Sequence, residues 1–128
     1  SLFECYREAL AALSNGQPQQ PVLRRFEKAL LRELGYGLTL DRNADSGEPI
    51  DPARRYIYII ERGPVPVDGA GGDGVVVSGE VLLAMATDDW SAAETLAQGK
   101  LLMRRLIQHY LGGQALQSRR VFIDLQEI

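Results

Sequence analysis

The segment Leu23–Gly37, LRRFEKALLRELGYG, constrains the fold most, because it has the periodicity of an amphipathic helix with two charges out of place. At 100° per residue, Phe26, Leu30 and Leu34 gather on one arc. The helix should therefore bury this face and expose the opposite one. The opposite face carries three basic residues, Arg25, Lys28 and Arg32.

Glu27 and Arg24 do not fit this separation into an apolar and a basic face. Glu27 projects into the apolar arc, and an unpaired buried charge is costly, so we expect an ion pair with an arginine from another element. Arg119 is the favoured partner and Arg105 the alternative, unless Glu27 lies at a poorly covered helix edge. Arg24 borders the arc beside Leu31, where a guanidinium can receive an anion that carries a hydrophobic group.

Length and composition indicate one modest domain. The chain has 128 residues, 45% apolar content and a net charge of −3. This charge balance argues against an autonomous nucleic-acid binder, which usually has a basic excess. Eight of the twelve Arg nevertheless occur in adjacent pairs, which either bind carboxylate and phosphate or reflect a coding bias. The sequence leaves open whether Arg54–Arg55 or Arg104–Arg105 contacts DNA.

The sequence lacks the residues that several classes of protein require for their function. A single Cys5 excludes an internal disulfide and a multi-thiolate zinc site, and the lone His109 has no second ligand one turn away. The glycine-rich segment 69–74 precedes a strand and lacks the Lys-Ser/Thr of a phosphate loop. No nucleophile, base and orienting group assemble. We expect no enzyme activity, no metal and no cofactor.

The N-terminal third predicts two helices. Apolar residues repeat at helical spacing from Leu2 to Leu13, and Gly16 follows as a stop. The second helix has Pro21 in its first turn and ends near Gly35. A short polar link joins them, so we expect an antiparallel pair.

The rest of the chain predicts a β-ribbon and further helices. Arg55–Ile60 is β-branched and aromatic, and Gly74–Val77 is its expected partner. Ser78 should cap a short helix, and Ser91 with Glu94 forms a capping-box pattern for a longer one. The expected fold is a mainly α, small helical bundle with a short β-ribbon. The remaining expectations are a loop over Leu38–Ala53, helices over Gly79–Ala86 and up to Leu111, and a closing helix or tail over Leu116–Ile128.

Four motifs together resemble one family. VLRRFEKALLRELGYG at Val22–Gly37, SGEPI at Ser46–Ile50, YLGG at Tyr110–Gly113 and LQSR at Leu116–Arg119 occur in the order found in the C-terminal helical domain of RecO, a bacterial recombination mediator. The resemblance covers nearly the whole chain. It implies that the family's N-terminal OB-fold domain is absent here, which agrees with a start that lacks Met. Segment 41–60 has no Cys, as in the zinc-free type.

The resemblance also implies a function and partners. RecO proteins are non-enzymatic helpers of RecF-pathway DNA repair and recombination that anneal strands and work with RecR to load RecA. They dock the acidic C-terminal tail of single-stranded DNA-binding protein (SSB), and DNA contact is expected mainly through the absent domain. Arg24, beside Leu23 and Leu31, matches the tail-docking region, with Arg25, Lys28 and Arg32 as further candidates from their exposed positions.

Two other interpretations remain open. The paired arginines could form a DNA-binding surface in their own right, or the domain could be purely structural or dimerising. Without a secretion signal or a membrane-spanning apolar run, the expected location is cytoplasmic and nucleoid-associated.

Overall fold

The computed structural model describes residues 2–67 and 74–112, which form four helices and a small antiparallel sheet. The expected mainly α fold with a short β-ribbon is confirmed. The segment Leu116–Ile128, for which a last helix or tail was predicted, lies outside the described residues. The elements are α1 (Leu2–Ser14), α2 (Gln19–Glu33), β1 (Arg55–Ile59), β2 (Gly63–Pro66), β3 (Val75–Ser78), α3 (Gly79–Ala86) and α4 (Ala93–Leu111).

The chain divides into two compact units. Of the described residues, the first unit, the helical unit, contains those up to Tyr36 together with those from Met103 to Gly112. The second, the sheet unit, spans Gly37–Leu102. The boundary falls within α4, whose residues contribute to both units.

In the helical unit, α1 and α2 end in the same way. Gly16 and Gly35 follow the two helices with φ of 77° and 90°, a backbone conformation that glycine adopts at low cost. The N–H of Tyr36 donates to the Leu31 carbonyl at 2.8 Å, as in a Schellman motif. The predicted helix ends are confirmed. The short connection makes α1 and α2 an antiparallel pair, and the rings of Tyr6 and Phe26 meet edge to face at 6.1 Å.

In the sheet unit, the strand order is β2-β1-β3, and both pairings are antiparallel. The predicted pairing of β1 with the GVVV segment is confirmed, since Tyr56 lies opposite Val77. β2 was not predicted because its sequence, GPVP, contains two prolines. Proline is compatible with an edge strand when its nitrogen faces away from the neighbouring strand. The outer edge of β2 is covered in part by Ala44, whose N–H donates to the Pro64 carbonyl at 2.8 Å.

Helix α3 has the predicted beginning but an unusual end. The Ser78 hydroxyl accepts from the Val81 N–H at 3.2 Å, which confirms the predicted cap. The end is a Schellman motif in which Asp88, with φ of 56°, occupies the position usually held by glycine. Its two hydrogen bonds run from Asp88 N to Met85 O at 3.2 Å and from Asp89 N to Ala84 O at 2.8 Å.

The beginning of α4 differs from the prediction. Ser91 donates its hydroxyl to the Asp89 carboxylate at 2.6 Å, and the helix begins at Ala93. Glu94 accepts from the Gln98 amide at 2.9 Å, one turn further along. The predicted capping box is therefore wrong, because α4 begins two residues after Ser91, which leaves the serine outside the N-cap position, and the Glu94 carboxylate accepts from Gln98 instead of reaching back.

Gly99 allows a close approach inside the sheet unit. A Cβ atom at this position would lie 2.6 Å from the Trp90 ring and 3.5 Å from the Met85 sulfur. Trp90 is buried, and Met85 is completely inaccessible. The missing side chain at Gly99 thus leaves room for the indole, which explains a glycine in the middle of a long helix.

Candidate docking surface on α2

The apolar arc of α2 forms part of the interior of the helical unit. Leu23 and Leu31 are fully inaccessible, and Phe26 and Leu30 are also buried. This burial follows directly from the helical periodicity of the sequence. It also means that Leu23 and Leu31 do not lie on the surface. The prediction that they form an exposed apolar part of a docking site is wrong.

Arg24 and Glu27 form an ion pair inside the unit. The two side chains are 2% and 3% exposed, and Arg24 Nε lies 2.7 Å from Glu27 Oε1. Residues three apart share one side of a helix, so the carboxylate draws the guanidinium from the edge of the arc into the interior. The prediction that Arg24 faces outward is therefore wrong.

Burial also changes the protonation equilibrium of Arg24. Desolvation lowers the pKa of its guanidinium, because removal from water disfavours the charged form. The Glu27 carboxylate opposes this decrease, while the positive charge of Arg104 adds to it. Arg24 Nη1 has no hydrogen-bond partner among the residues that the structure describes. The carboxylate is thus what keeps a charged guanidinium tolerable at this depth.

The prediction that Glu27 is buried and ion-paired is confirmed. The partner seen here lies one turn earlier on the same helix, whereas an arginine from another element was expected. The favoured partner, Arg119, lies outside the described residues. The alternative, Arg105, is exposed.

The outer face of α2 carries the basic residues that the periodicity placed there. Arg25 and Arg32 are exposed, and Lys28 is half-buried. The three positions span 60° of the helix circumference, and we call this set the cationic stripe. Glu33 is exposed too, but at 100° per residue it lies 80° from Arg25 and 100° from Arg32. The stripe is a surface on which an anion can receive charge-assisted hydrogen bonds.

An aromatic pair follows the stripe and was not predicted. Tyr36, four residues after Arg32, stacks on Tyr110 of α4 with ring centroids 4.3 Å apart and planes 18° from parallel. Both tyrosines are half-buried. The exposed His109 meets the Tyr110 ring edge-on at 4.9 Å. The glycine-flanked motifs that contain the two tyrosines were the available signal, but no periodicity links residues 74 positions apart.

Two further arginine pairs within the described part of the chain lie at exposed positions. Arg54 and Arg55 precede and begin β1 in the sheet unit, while Arg104 and Arg105 lie on α4 in the helical unit. Arg104 is close enough to Arg24 for its charge to act on the buried guanidinium. Their contact with DNA stays a prediction.

The described residues contain no cluster of three or more His, Cys, Asp or Glu side chains arranged to hold a metal ion. Within the same residues, no helix is long and apolar enough to cross a bilayer. The chemistry that the cationic stripe offers is the binding of an anion through charge-assisted hydrogen bonds.

Comparison with known proteins agrees with the motifs. Residues 1–120 match the family described as Recombination protein O C terminal. The chain is 56% identical over 128 residues to the DNA repair protein RecO of Aromatoleum aromaticum, covering 100% of this chain and 53% of that protein. It is 53% identical over 131 residues to the RecO of an Azoarcus species, covering 100% of this chain and 54% of that protein. The RecO of Methylococcus capsulatus is 45% identical over 121 residues, covering 94% of this chain and 49% of that protein. The chain thus spans about half the length of these relatives, and it belongs to the RecO C-terminal family.

Proposed function

We propose that this chain acts, without catalysis, as the protein-docking domain of a DNA repair and recombination mediator. Its ligand is the acidic C-terminal tail of SSB. The observation that carries the proposal is the cationic stripe, Arg25, Lys28 and Arg32, on the outer face of α2. An acidic peptide gains charge-assisted hydrogen bonds there, while the net charge of −3 disfavours long polyanions.

The whole mediator would use this docking to reach SSB-covered DNA. The full-length protein would then anneal strands and, with RecR, load RecA in the RecF pathway, contacting DNA mainly outside this domain. The relatives are named DNA repair proteins, and each is about twice as long as this chain, which supports such a division of labour. A cytoplasmic, nucleoid-associated location accompanies the proposal.

Fluorescence anisotropy tests the docking directly. A labelled acidic peptide ending in Phe is titrated with the 128-residue chain, and an equally long labelled single-stranded oligonucleotide is titrated in parallel. We expect micromolar peptide binding, about −8 kcal/mol, that weakens as salt is raised. Oligonucleotide binding should be much weaker.

The comparison of variants locates the site. Arg25→Ala should weaken peptide binding, whereas Arg54→Ala, which removes another exposed arginine from the sheet unit, should not. Tight oligonucleotide binding without peptide binding would refute the docking function. Binding of neither ligand would favour a structural or dimerising domain.

A further inference from the structure

Helix α1 presents apolar side chains on its outer face. Phe3 is 71% exposed and Leu10 is 45% exposed. At about 100° per residue the two positions lie about 20° apart around the helix, and the half-buried Tyr6 lies about 40° from Leu10. Phe3, Tyr6 and Leu10 therefore form one apolar strip along the helix, which we call the α1 ridge.

The inner face of α1 is already used for packing within the helical unit. Ala9 is buried, and the ring of Tyr6 meets that of Phe26 on α2 at 6.1 Å. Phe3 and Leu10 lie about 100–120° from Ala9 around the helix, so packing on α2 leaves them exposed. A helix that packs on one side needs one apolar stripe, whereas a second stripe is typical of a helix that is covered on two sides. The α1 ridge therefore has the pattern of a surface that a further element covers.

The relatives indicate where that element lies in the sequence. This chain spans 53% and 54% of the RecO proteins of Aromatoleum aromaticum and the Azoarcus species, and it matches the family described as C terminal. Much of the remainder of these relatives therefore precedes the matched region. Helix α1 is the first element of that region. Consecutive parts of a chain usually lie next to each other in space, so the preceding half is the nearest candidate to cover the ridge.

A second copy of the chain fits the ridge less well. A stable interface between separate proteins buries about 800 Å² on each partner, which three side chains do not provide. A neighbour on the same polypeptide is held at an effective concentration of roughly the millimolar range, so a much smaller apolar contact is sufficient. The size of the ridge therefore favours an intramolecular partner.

We propose that the α1 ridge is covered, in the full-length protein, by an apolar surface of the half that precedes this region. The contact fixes that half against the helical unit. It uses α1, whereas the cationic stripe lies on α2, so the two contacts belong to different helices. The covering of the ridge thus does not depend on the docking of an acidic ligand.

Thiol labelling measures whether the ridge is covered. The chain has a single cysteine, so Cys5→Ser, with any cysteine of the preceding half also replaced by serine, gives a background without thiols. Leu10→Cys is then introduced into the 128-residue chain and into the full-length protein, and the rates of reaction with a maleimide are compared. We expect labelling to be about tenfold slower in the full-length protein, because a covered thiol reacts only when the contact opens. Glu8→Cys, exposed on the same helix but about 160° away, is the matched control and should react equally fast in both.

Removal of the ridge gives a second measurement. Phe3→Gln combined with Leu10→Gln replaces both exposed side chains and introduces a good helix former at each position. The thermal midpoint of the 128-residue chain should be nearly unchanged, whereas that of the full-length protein should fall by several degrees. Leu101→Gln, which replaces an exposed leucine of the sheet unit, is the control and should leave both midpoints unchanged.

The outcomes distinguish the possible occupants of the ridge. Equal labelling of Leu10→Cys in the two proteins, or equal effects of the double substitution on their thermal midpoints, would show that the preceding half does not cover it. Labelling that slows in the 128-residue chain as its concentration rises would assign the ridge to a second copy and would also refute the proposal. Binding of the acidic peptide by the 128-residue chain should be the same with and without the double substitution, so the docking function is tested separately by its own titration.

Discussion

Each of the two units buries a group that is costly to bury, and the two units accommodate it in different ways. The helical unit buries two charges, Arg24 and Glu27, and relies on their ion pair at 2.7 Å. The sheet unit buries the large indole of Trp90 and relies on the missing side chain of Gly99. The first solution depends on charge and the second on shape. Each should therefore fail under a different kind of substitution.

The largest effect is expected from breaking the ion pair. Glu27→Ala leaves a buried guanidinium without its carboxylate, and removing one member of a buried pair typically costs about 3–5 kcal/mol. Urea unfolding monitored by circular dichroism measures the loss of unfolding free energy. An unchanged unfolding midpoint would show that the pair contributes nothing to stability.

A double substitution separates charge from packing. Arg24→Met combined with Glu27→Leu removes both charges and keeps apolar volume, and replacing buried ion pairs in this way is often neutral or stabilising. The double variant should therefore be more stable than Glu27→Ala. If the two are equally unstable, lost volume accounts for the effect, and the contrast between the units disappears.

A smaller loss is expected when the close approach in the sheet unit is blocked. Gly99→Ala places a methyl group 2.6 Å from the Trp90 ring, and overpacking of this kind costs about 1–3 kcal/mol. In an unhindered helix the same change would be stabilising by about 1 kcal/mol. Thermal unfolding followed by circular dichroism, which does not depend on the single tryptophan, shows whether the substitution lowers or raises stability.

The background variant Trp90→Leu provides the control. With the indole removed, Gly99→Ala should gain stability through its helix propensity, so the two substitutions should be strongly non-additive. Loss of stability in both backgrounds would mean that something other than the indole occupies the space next to Gly99.

Sequence periodicity predicted which face of α2 is buried but not how the charged groups of that helix are paired. It placed Glu27 in the apolar arc because 100° per residue describes any regular helix. It placed Arg24 at the edge because a helical wheel ignores the reach of a long side chain toward a carboxylate three residues away. The Tyr36–Tyr110 stack joins distant parts of the chain, so no local pattern predicted it.

The same limit explains two errors in the sheet unit. Proline usually argues against a strand, yet β2 is an edge strand that tolerates two prolines. The capping-box pattern was present in the sequence, but α4 begins at Ala93, so Ser91 precedes the N-cap position and instead donates its hydroxyl to Asp89. In both cases the missing information was the place of the residue in the fold: β2 lies at the edge of the sheet, and Ser91 lies two residues before α4. Ser78, by contrast, directly precedes α3 and caps it as predicted.

A reciprocal exchange compares the helix ends of the two units. Gly35, with φ of 90°, ends α2, and Asp88, with φ of 56°, ends α3 in the same motif. Gly35→Ala should destabilise by about 1 kcal/mol, because a Cβ atom disfavours this conformation. Asp88→Gly should stabilise by about 0.5 kcal/mol, since aspartate tolerates it only partly. Thermal unfolding measures both changes, and equal signs would contradict the shared geometry.

The smallest expected effect is on the pH dependence of stability. It tests whether an exposed carboxylate, Asp89, contributes to folding as the buried ion pair does. The Ser91 hydroxyl and N–H donate to Asp89 and lower the pKa of that carboxyl. A lowered pKa in the folded state stabilises the protein above the unfolded pKa, near 4, and this contribution is lost as pH falls through the folded value. The thermal midpoint of the parent should therefore drop more between pH 6 and pH 2.5 than that of Asp89→Asn. Ser91→Ala, which removes the hydroxyl donor, should show an intermediate drop. Identical pH profiles for all three would mean that this surface contact does not contribute to folding, and that charge matters for stability only where it is buried.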